Sequence, residues 1–150
     1  AQVIARALAA DGGSAWAWSR SGFIDVYRGD PDSAIERFKI ALDLAPHDTL
    51  AFNSHVGIGC AHFLAGEYAE AAKWQEQGLS LRPSAFWVHR TMSPAYVQAA
   101  ATDEARRSAS RLRPCHPALP VSQLRLCMPP LPPAFRCPIR RPVSDAGLHA

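Results

Sequence analysis

Between Ala34 and Leu42 the apolar positions fall at Ala34, Ile35, Phe38, Ala41 and Leu42, spacings that lay one stripe along a helix. The flanking residues set its ends. Asp30 is placed to cap, Pro31 takes the first position, where a missing N–H costs nothing, and Asp32 suits the positive end of the helix dipole. Pro46 stops the run, so a helix is predicted over Pro31–Leu44. Just upstream, Ser14 predicts an N-cap for a helix over Ala15–Arg28, closed by Gly29 in the left-handed conformation.

The same grammar then recurs. Asp48 is expected to cap a helix that Gly66 breaks, a second helix runs from about Tyr68 to Leu81, and Pro83 ends it. Further on, Ser84 is expected to cap, Pro94 to interrupt the helix it falls in, and Thr102 to cap again before Asp103, Glu104 and Ala105. A prolyl stop follows at Pro114 or Pro117. The first ten residues read as the second helix of a pair whose partner lies upstream of Ala1, which suggests a chain cut from a longer array.

Self-comparison makes the recurrence explicit. Ile4, Ala7, Leu8 and Gly12 align with Phe38, Ala41, Leu42 and Pro46 at an offset of 34. Gly29, Ala34, Leu42 and Pro46 align with Gly66, Ala71, Leu79 and Pro83 at 37, and Ala71 and Pro83 with Ala105 and Pro117 at 34. Glycine and proline recur with the alanines, so the period is not a by-product of alanine content.

This unit resembles the tetratricopeptide repeat, whose pattern is W-x2-L-G-x2-Y, then A-x3-F, then P. Trp18, Gly22, Ala34, Phe38, Ala41 and Pro46 match in the first unit, with Ser21 and Asp25 in place of the usual Leu and Tyr. Gly59, Gly66, Tyr68, Ala71, Leu79 and Pro83 match in the second, where Gln75 and Gly78 depart; Tyr96, Ala105 and Pro117 match in the third. The expected fold is all-α, a helical-hairpin solenoid wound as a right-handed superhelix, followed by an extended Pro/Arg-rich tail. Its expected parts are 1–13, a helix of a truncated repeat and a turn; the units 14–47, 48–83 and 84–117; and a largely irregular tail, 118–150. Each unit needs its neighbours to bury its apolar face.

The resemblance also implies where a partner sits, because such repeats present the first helix of each unit on a concave surface. Carried onto this sequence, the groove comprises Trp16, Ser19, Phe23, Val26 and Tyr27, then Asn53, Val56, Cys60 and Phe63, then Trp87, Arg90 and Val97. An apolar groove with few charges suits an extended or helical peptide with hydrophobic anchors. The competing reading is that the same aromatics seal contacts between neighbouring helices.

Other candidate chemistry is weak. His55 and His62 stand seven apart, two turns rather than the one-turn spacing at which two histidines share a metal. Cys115, Cys127 and Cys137 match no ligand pair with a short chelating loop, so no metal is expected. No phosphate-binding loop, HExxH, GxSxG or dinucleotide fingerprint is present, so no cofactor and no catalysis are expected. Arg28, Gly29 and Asp30 read as a helix stop and a cap rather than an adhesion triplet.

Charge changes the picture only at the far end. Residues 1–104 hold eight Lys/Arg against twelve Asp/Glu, net −4, whereas 105–150 hold eight Arg against Asp145 alone, net +7. Nine of the 13 prolines lie from Pro114 onward. With scarcely an aromatic platform beyond Phe135, this cluster reads as a solvated basic face rather than a nucleic-acid site. The stretch Met128–Pro133 suits polyproline II. The uncharged run Thr49–Gly66 contains Asn53, Ser54, His55 and His62, a poor membrane span. Four cysteines without a CxxC pair, and no leader ahead of an apolar run, point to a cytoplasmic home.

A narrower resemblance lies in Val121–Phe135, Leu44–Asp48 and Ala61–Gly66. Together these resemble the C-terminal region of bacterial class III adenylate/guanylate cyclases that carry such repeats. In that family the catalytic domain precedes the repeats, and a short helix follows the proline run before an Ala-Gly-Leu ending. This chain keeps Ala146–Leu148, but Cys137–Pro142 is incompatible with that helix, and no metal-binding carboxylate carries over. The resemblances imply a non-catalytic scaffold that binds a protein or peptide partner or self-associates, or else the regulatory end of such a cyclase.

Overall fold

The computed structural model describes residues 2–112. Within them the chain forms seven α-helices and no strand: α1 (Gln2–Ala10), α2 (Ala15–Arg28), α3 (Pro31–Leu44), α4 (Ala51–Ala65), α5 (Tyr68–Leu81), α6 (His89–Gln98) and α7 (Thr102–Leu112). A 3₁₀ turn, Phe86–Val88, leads into α6. Each helix packs on the next in chain order from α1 to α7, save that little of α1 is covered and none of its residues is buried; α2 also touches α4. This is a stack of helical hairpins: α2 with α3, α4 with α5, α6 with α7.

The hairpin turn is the same backbone device used three times. Asp30 N–H donates to the Asp25 carbonyl (3.0 Å) and Gly29 N–H to Val26 (3.1 Å). Glu67 and Gly66 repeat this on His62 (2.9 Å) and Phe63 (3.2 Å); Ala101 and Ala100 repeat it on Tyr96 (2.8 Å) and Val97 (3.1 Å). This paired bonding satisfies the last carbonyls of the first helix and requires a left-handed residue at its centre. Gly29 and Gly66 supply it at φ 78° and 82°; in the third hairpin Ala100 is forced to φ 60°. The next helix then starts on Asp30, Glu67 and Ala101, whose carbonyls accept from Ala34, Ala71 and Ala105 N–H. Those three alanines are fully buried, which is why the sequence period reads most clearly through them.

Side-chain caps are less uniform than the sequence suggests. Ser14 Oγ accepts from Ala17 N–H (3.3 Å) and Asp30 Oδ1 from Ser33 N–H (3.2 Å), as expected. The Ser33 hydroxyl first, and its N–H second, hold the Asp30 carboxyl below its ordinary pKa. Asp48 instead braces the turn ahead of α4, accepting from Leu50 N–H (2.8 Å), and α4 begins at Ala51 without a side-chain cap. Ser84 is likewise no cap: the 3₁₀ turn intervenes and no side-chain cap bond forms at it or at α6. Thr102 is the first residue of α7, with the Ala101 carbonyl accepting ahead of it.

Pro94 does not interrupt its helix. It lies within α6, fully buried. A proline at that point forfeits the bond its N–H would give to the Arg90 carbonyl and crowds that carbonyl, costs that burial of the ring works against.

The core crosses the hairpin boundaries. Val26, Ala34, Phe38, Ile58, Ala61 and Leu64 form one cluster drawn from α2, α3 and α4; Ala71, Ala72, Met92, Ala95, Tyr96 and Ala105 form another from α5, α6 and α7. Phe38 is completely buried, edge-on to Phe23 at 4.9 Å between centroids. Its ring fits because Gly22 and Gly57 face it without side chains: a Cβ at Gly22 would lie 2.9 Å from the ring, and one at Gly57 would overlap it. None of the three hairpins keeps its apolar face dry alone. The prolyl stops Pro114 and Pro117 and the tail 118–150 lie outside the described residues.

Candidate partner-binding face

Among the first helices of the three hairpins, α2 and α4 lie side by side, and α4 meets the third hairpin chiefly at the turn before α6. Ser54 Oγ on α4 donates to Ser19 Oγ on α2 (3.2 Å). On the other side of α4, Phe52 and Val56 form a small cluster with Ala85 and Val88 at the start of the third hairpin. Thr91 on α6 donates from Oγ1 to Gln75 Oε1 on α5 (3.3 Å), tying the third hairpin to the second.

The predicted groove residues divide into three groups on this surface. Trp16 (53% exposed), Tyr27 (51%) and Trp87 (40%) are open to solvent. Asn53 and Arg90 are half-buried, as are Phe23, Cys60, Phe63 and Val97, which pack against the core clusters. Ser19, Val26 and Val56 are buried: Ser19 against Ser54 of α4, Val26 in the cluster with Phe38, and Val56 against Ala85, Val88 and Gly78 of α5. Of these, Trp16 and Trp87 hold corresponding places in the first and third hairpins, with Asn53 at the same place between them. Trp87 meets Phe52 at 6.4 Å, and Phe52 carries Arg82 above its ring at 4.9 Å. A hollow of about 20 Å³ lies beside Trp16, with Arg20, Leu50 and Asn53 in its wall.

The charges on this face are few, with Arg20 and Arg90 on the helices and Asp48 at the edge of the hollow. The α4 sequence contains no Asp, Glu, Lys or Arg. Asp25, the acid of α2, is buried and turned to Arg37 Nε (2.7 Å) and Arg28 (3.4 Å). Arg37 also donates to Ser21 Oγ. Asp25 and Ser21 thus fill, with an ion-paired network, positions that a tetratricopeptide pattern gives to Tyr and Leu. Arg20 lies 5.7 Å from the Trp16 and Phe23 rings, a geometry in which a guanidinium is held by aromatic faces. Sequence patterning had not singled out Arg20; its one signal was a charge in an otherwise apolar stripe.

The remaining candidates have structural placements. Desolvation pushes the Cys60 thiol up to about 11, against the opposing pull of Thr91 and Arg90, so the thiol stays protonated and unreactive near neutrality. His55 and His62 both lie against Trp74, at 5.4 and 6.5 Å, and His62 Nδ1 is 2.5 Å from Glu67 Oε2. Burial lowers the His55 pKa, and it lowers that of His89, whose Nδ1 meets Ser108 Oγ at 3.0 Å with Arg111 adding to the effect. No group of three His, Cys, Asp or Glu side chains among the described residues is placed to hold a metal ion, and Cys115, Cys127 and Cys137 lie outside them. No helix of the described residues is long and apolar enough to cross a membrane.

One feature was not legible in the sequence. A second cleft, of about 450 Å³, opens between α5 and α7 over α6, with Leu79, Met92 and Tyr96 among its lining residues. Its polar groups largely satisfy one another: Tyr96 OH donates to Glu76, Arg107 to Glu104 (2.8 Å), and His89 pairs with Ser108. Burial and the Glu76 carboxylate raise the Tyr96 pKa, so the phenol remains a donor.

Comparison with curated proteins returned no match. The family model of the tetratricopeptide repeat matches residues 13–84, the stretch that runs from the turn before α2 to the loop after α5, and the all-helical hairpin stack is a fold of tetratricopeptide-repeat type.

Proposed function

We propose that this chain is a non-catalytic interaction scaffold, and that a protein or peptide segment binds across the first helices α2, α4 and α6. The observation that carries this reading is the pair of solvent-open indoles, Trp16 and Trp87, at corresponding positions on either side of Asn53. Large aromatic side chains left in water along one face are the usual anchors of protein recognition. Tetratricopeptide repeats commonly mediate protein–protein interaction, which agrees with it.

A random peptide array tests the reading. Wild-type protein retains a set of peptides, and the double variant Trp16→Ala/Trp87→Ala loses them while staying folded with a cooperative thermal transition, since about half of each side chain is in solvent. Replacing Tyr27 and Asn53 together has the same outcome. Retention of the same peptides by both variants overturns the proposal. The narrower reading, the regulatory end of a nucleotide cyclase in a bacterial cytoplasm, rests on sequence resemblance in Leu44–Asp48, Ala61–Gly66 and a tail outside the described residues.

A further inference from the structure

Three positions that correspond between the hairpins are filled in different ways. At the offsets set by the buried alanines, Trp18, Asp25 and Arg37 of the first hairpin become His55, His62 and Trp74 in the second and His89, Tyr96 and Ser108 in the third. In the first, Arg37 Nε reaches across to Asp25 (2.7 Å). In the second, the half-buried Trp74 indole lies against both histidines, at 5.4 and 6.5 Å, and packs on the core cluster. In the third, the second helix offers only Ser108, whose Oγ meets His89 Nδ1 at 3.0 Å.

The opening of about 450 Å³ between α5 and α7 stands at that serine. Leu79, Pro83, Met92 and Tyr96 give it an apolar lining. Leu79 corresponds to Leu42, which packs against the same core cluster as Trp74, so the wall is kept and the indole is what is missing. About 150 Å³ of cavity admits a benzene ring, so the space takes an aromatic side chain and aliphatic neighbours. Two carboxylates, Glu76 and Glu104, and two guanidiniums, Arg107 and Arg111, balance on its walls. Tyr96 OH and Arg107 already hold the two carboxylates, so the cleft selects for shape and apolar area rather than for charge.

We infer that the occupant of this cleft is residues 131–135 of the same chain, with the Phe135 ring in the place that Trp74 takes in the second hairpin. Phe135 is the sole Phe, Tyr or Trp of residues 113–150, and Leu131 is its aliphatic companion. The chain leaves α7 at Leu112, directly after Arg111 of the cleft wall. Residues 113–134 reach up to about 70 Å when extended, against about 16 Å for the length of α7, so the tether spans the cleft with slack. Such a tether holds the ring at a local concentration of about the millimolar range. Pro132 and Pro133 fix the backbone beforehand and lower the entropy lost on docking. The walls are second helices, so this inference is separate from the reading of Trp16 and Trp87 given above.

The test uses the full chain carrying Cys115→Ser and Cys127→Ser, which leaves Cys137, two residues beyond Phe135, as the reactive thiol. Cys60 does not compete, because burial holds its thiol protonated. Ser80→Cys places a second thiol at the cleft, and a short bismaleimide joins the two within one chain at a rate unchanged by dilution. Asp43→Cys, at the corresponding place beside the groove that Trp74 fills, reacts at least about tenfold more slowly. Phe135→Ala slows the Ser80→Cys reaction about tenfold, the equilibrium effect of withdrawing one buried phenyl group. Ser108→Trp, which returns the indole to the third hairpin, slows it likewise while helicity is retained.

A rate that falls on dilution assigns the cleft to the tail of a second copy and overturns the within-chain occupant. Equal rates from Ser80→Cys and Asp43→Cys overturn the inference, as does a rate indifferent to Phe135→Ala. Phe135 lies outside the seven helices, so that variant decides the matter even where Ser108→Trp fails to fold. Each of these outcomes leaves the peptide-array result for Trp16 and Trp87 as it stands.

Discussion

The first and third hairpins share a backbone and differ in almost everything that fills it. Both close on the same pair of turn bonds, and both start the second helix on a buried alanine, Ala34 or Ala105. In the first, the position one helical turn beyond that alanine holds Phe38, seated against Gly22. The third has Ala109 in that place and Ser93 in place of Gly22, with Ser93 Oγ donating to the Ala105 carbonyl (3.1 Å). The second hairpin is intermediate, with Gln75 against Gly59. Large filler and bare notch change together, because an interior at crystal-like density cannot keep one without the other. The hairpin itself is set by the turn bonds and the small residues beside them; the aromatic sets how much that hairpin contributes to stability.

Truncation at the filler separates the two hairpins most sharply. Phe38→Ala costs about 3–5 kcal/mol in chemical denaturation. Ala109→Gly, at the equivalent place, costs only about 1 kcal/mol, mostly through helix propensity. Equal losses would show that the aromatic plays no special part. Gly57→Ala, which drives a methyl into the Phe38 ring, destabilises by about 1–3 kcal/mol; the loss vanishes in the Phe38→Ala background if ring overlap is the cause.

The turns give smaller effects of opposite sign. Ala100→Gly relieves a left-handed alanine and stabilises by about 1 kcal/mol, whereas Gly29→Ala costs about as much. A loss at Ala100 would contradict the shared turn geometry. At the caps, Ser14→Ala lowers stability by about 1 kcal/mol, and Ser84→Ala changes it by less than about 0.5 kcal/mol, since no cap bond forms there.

Acid acts on the later hairpins. Trp18 in the first has His55 and His89 in its place in the second and third. Burial holds both histidines below the ordinary 6.5, so the folded chain favours their neutral form. Above 6.5 neither state takes up the proton; as pH falls through 6.5 the unfolded chain is protonated first, and stability declines until the lower folded values are reached. His89→Gln flattens that decline in melting temperatures measured across the window. An unaltered slope would show that His89 is not responsible.

Much of this molecule was legible in order along the chain. The spans of α2, α3 and α5 follow from Ser14, Gly29, Asp30, Pro31, Gly66 and the apolar stripes between them, because capping and left-handed turns are short-range chemistry. The start of the third hairpin was not: Ser84 and Pro94 carry the right local signals for a cap and a break, yet a 3₁₀ turn and burial overrule them. The proposed face was half legible. The family resemblance put Trp16, Tyr27 and Trp87 on it, and all three are exposed, Trp87 in the 3₁₀ turn ahead of α6; it put Val26 and Val56 there too, and these are core.

What the sequence determined by itself is the succession of helices and their pairing, since each hairpin is closed by hydrogen bonds spanning only a few residues. Tertiary structure alone decided which side of each helix meets water, which donors are left without an acceptor, and that α5 and α7 stand apart over α6. Those outcomes depend on how near neighbouring helices approach, and that distance is set by pairs such as Gly57 with Phe38 or Ser19 with Ser54, far apart in the chain and matched only once it has folded.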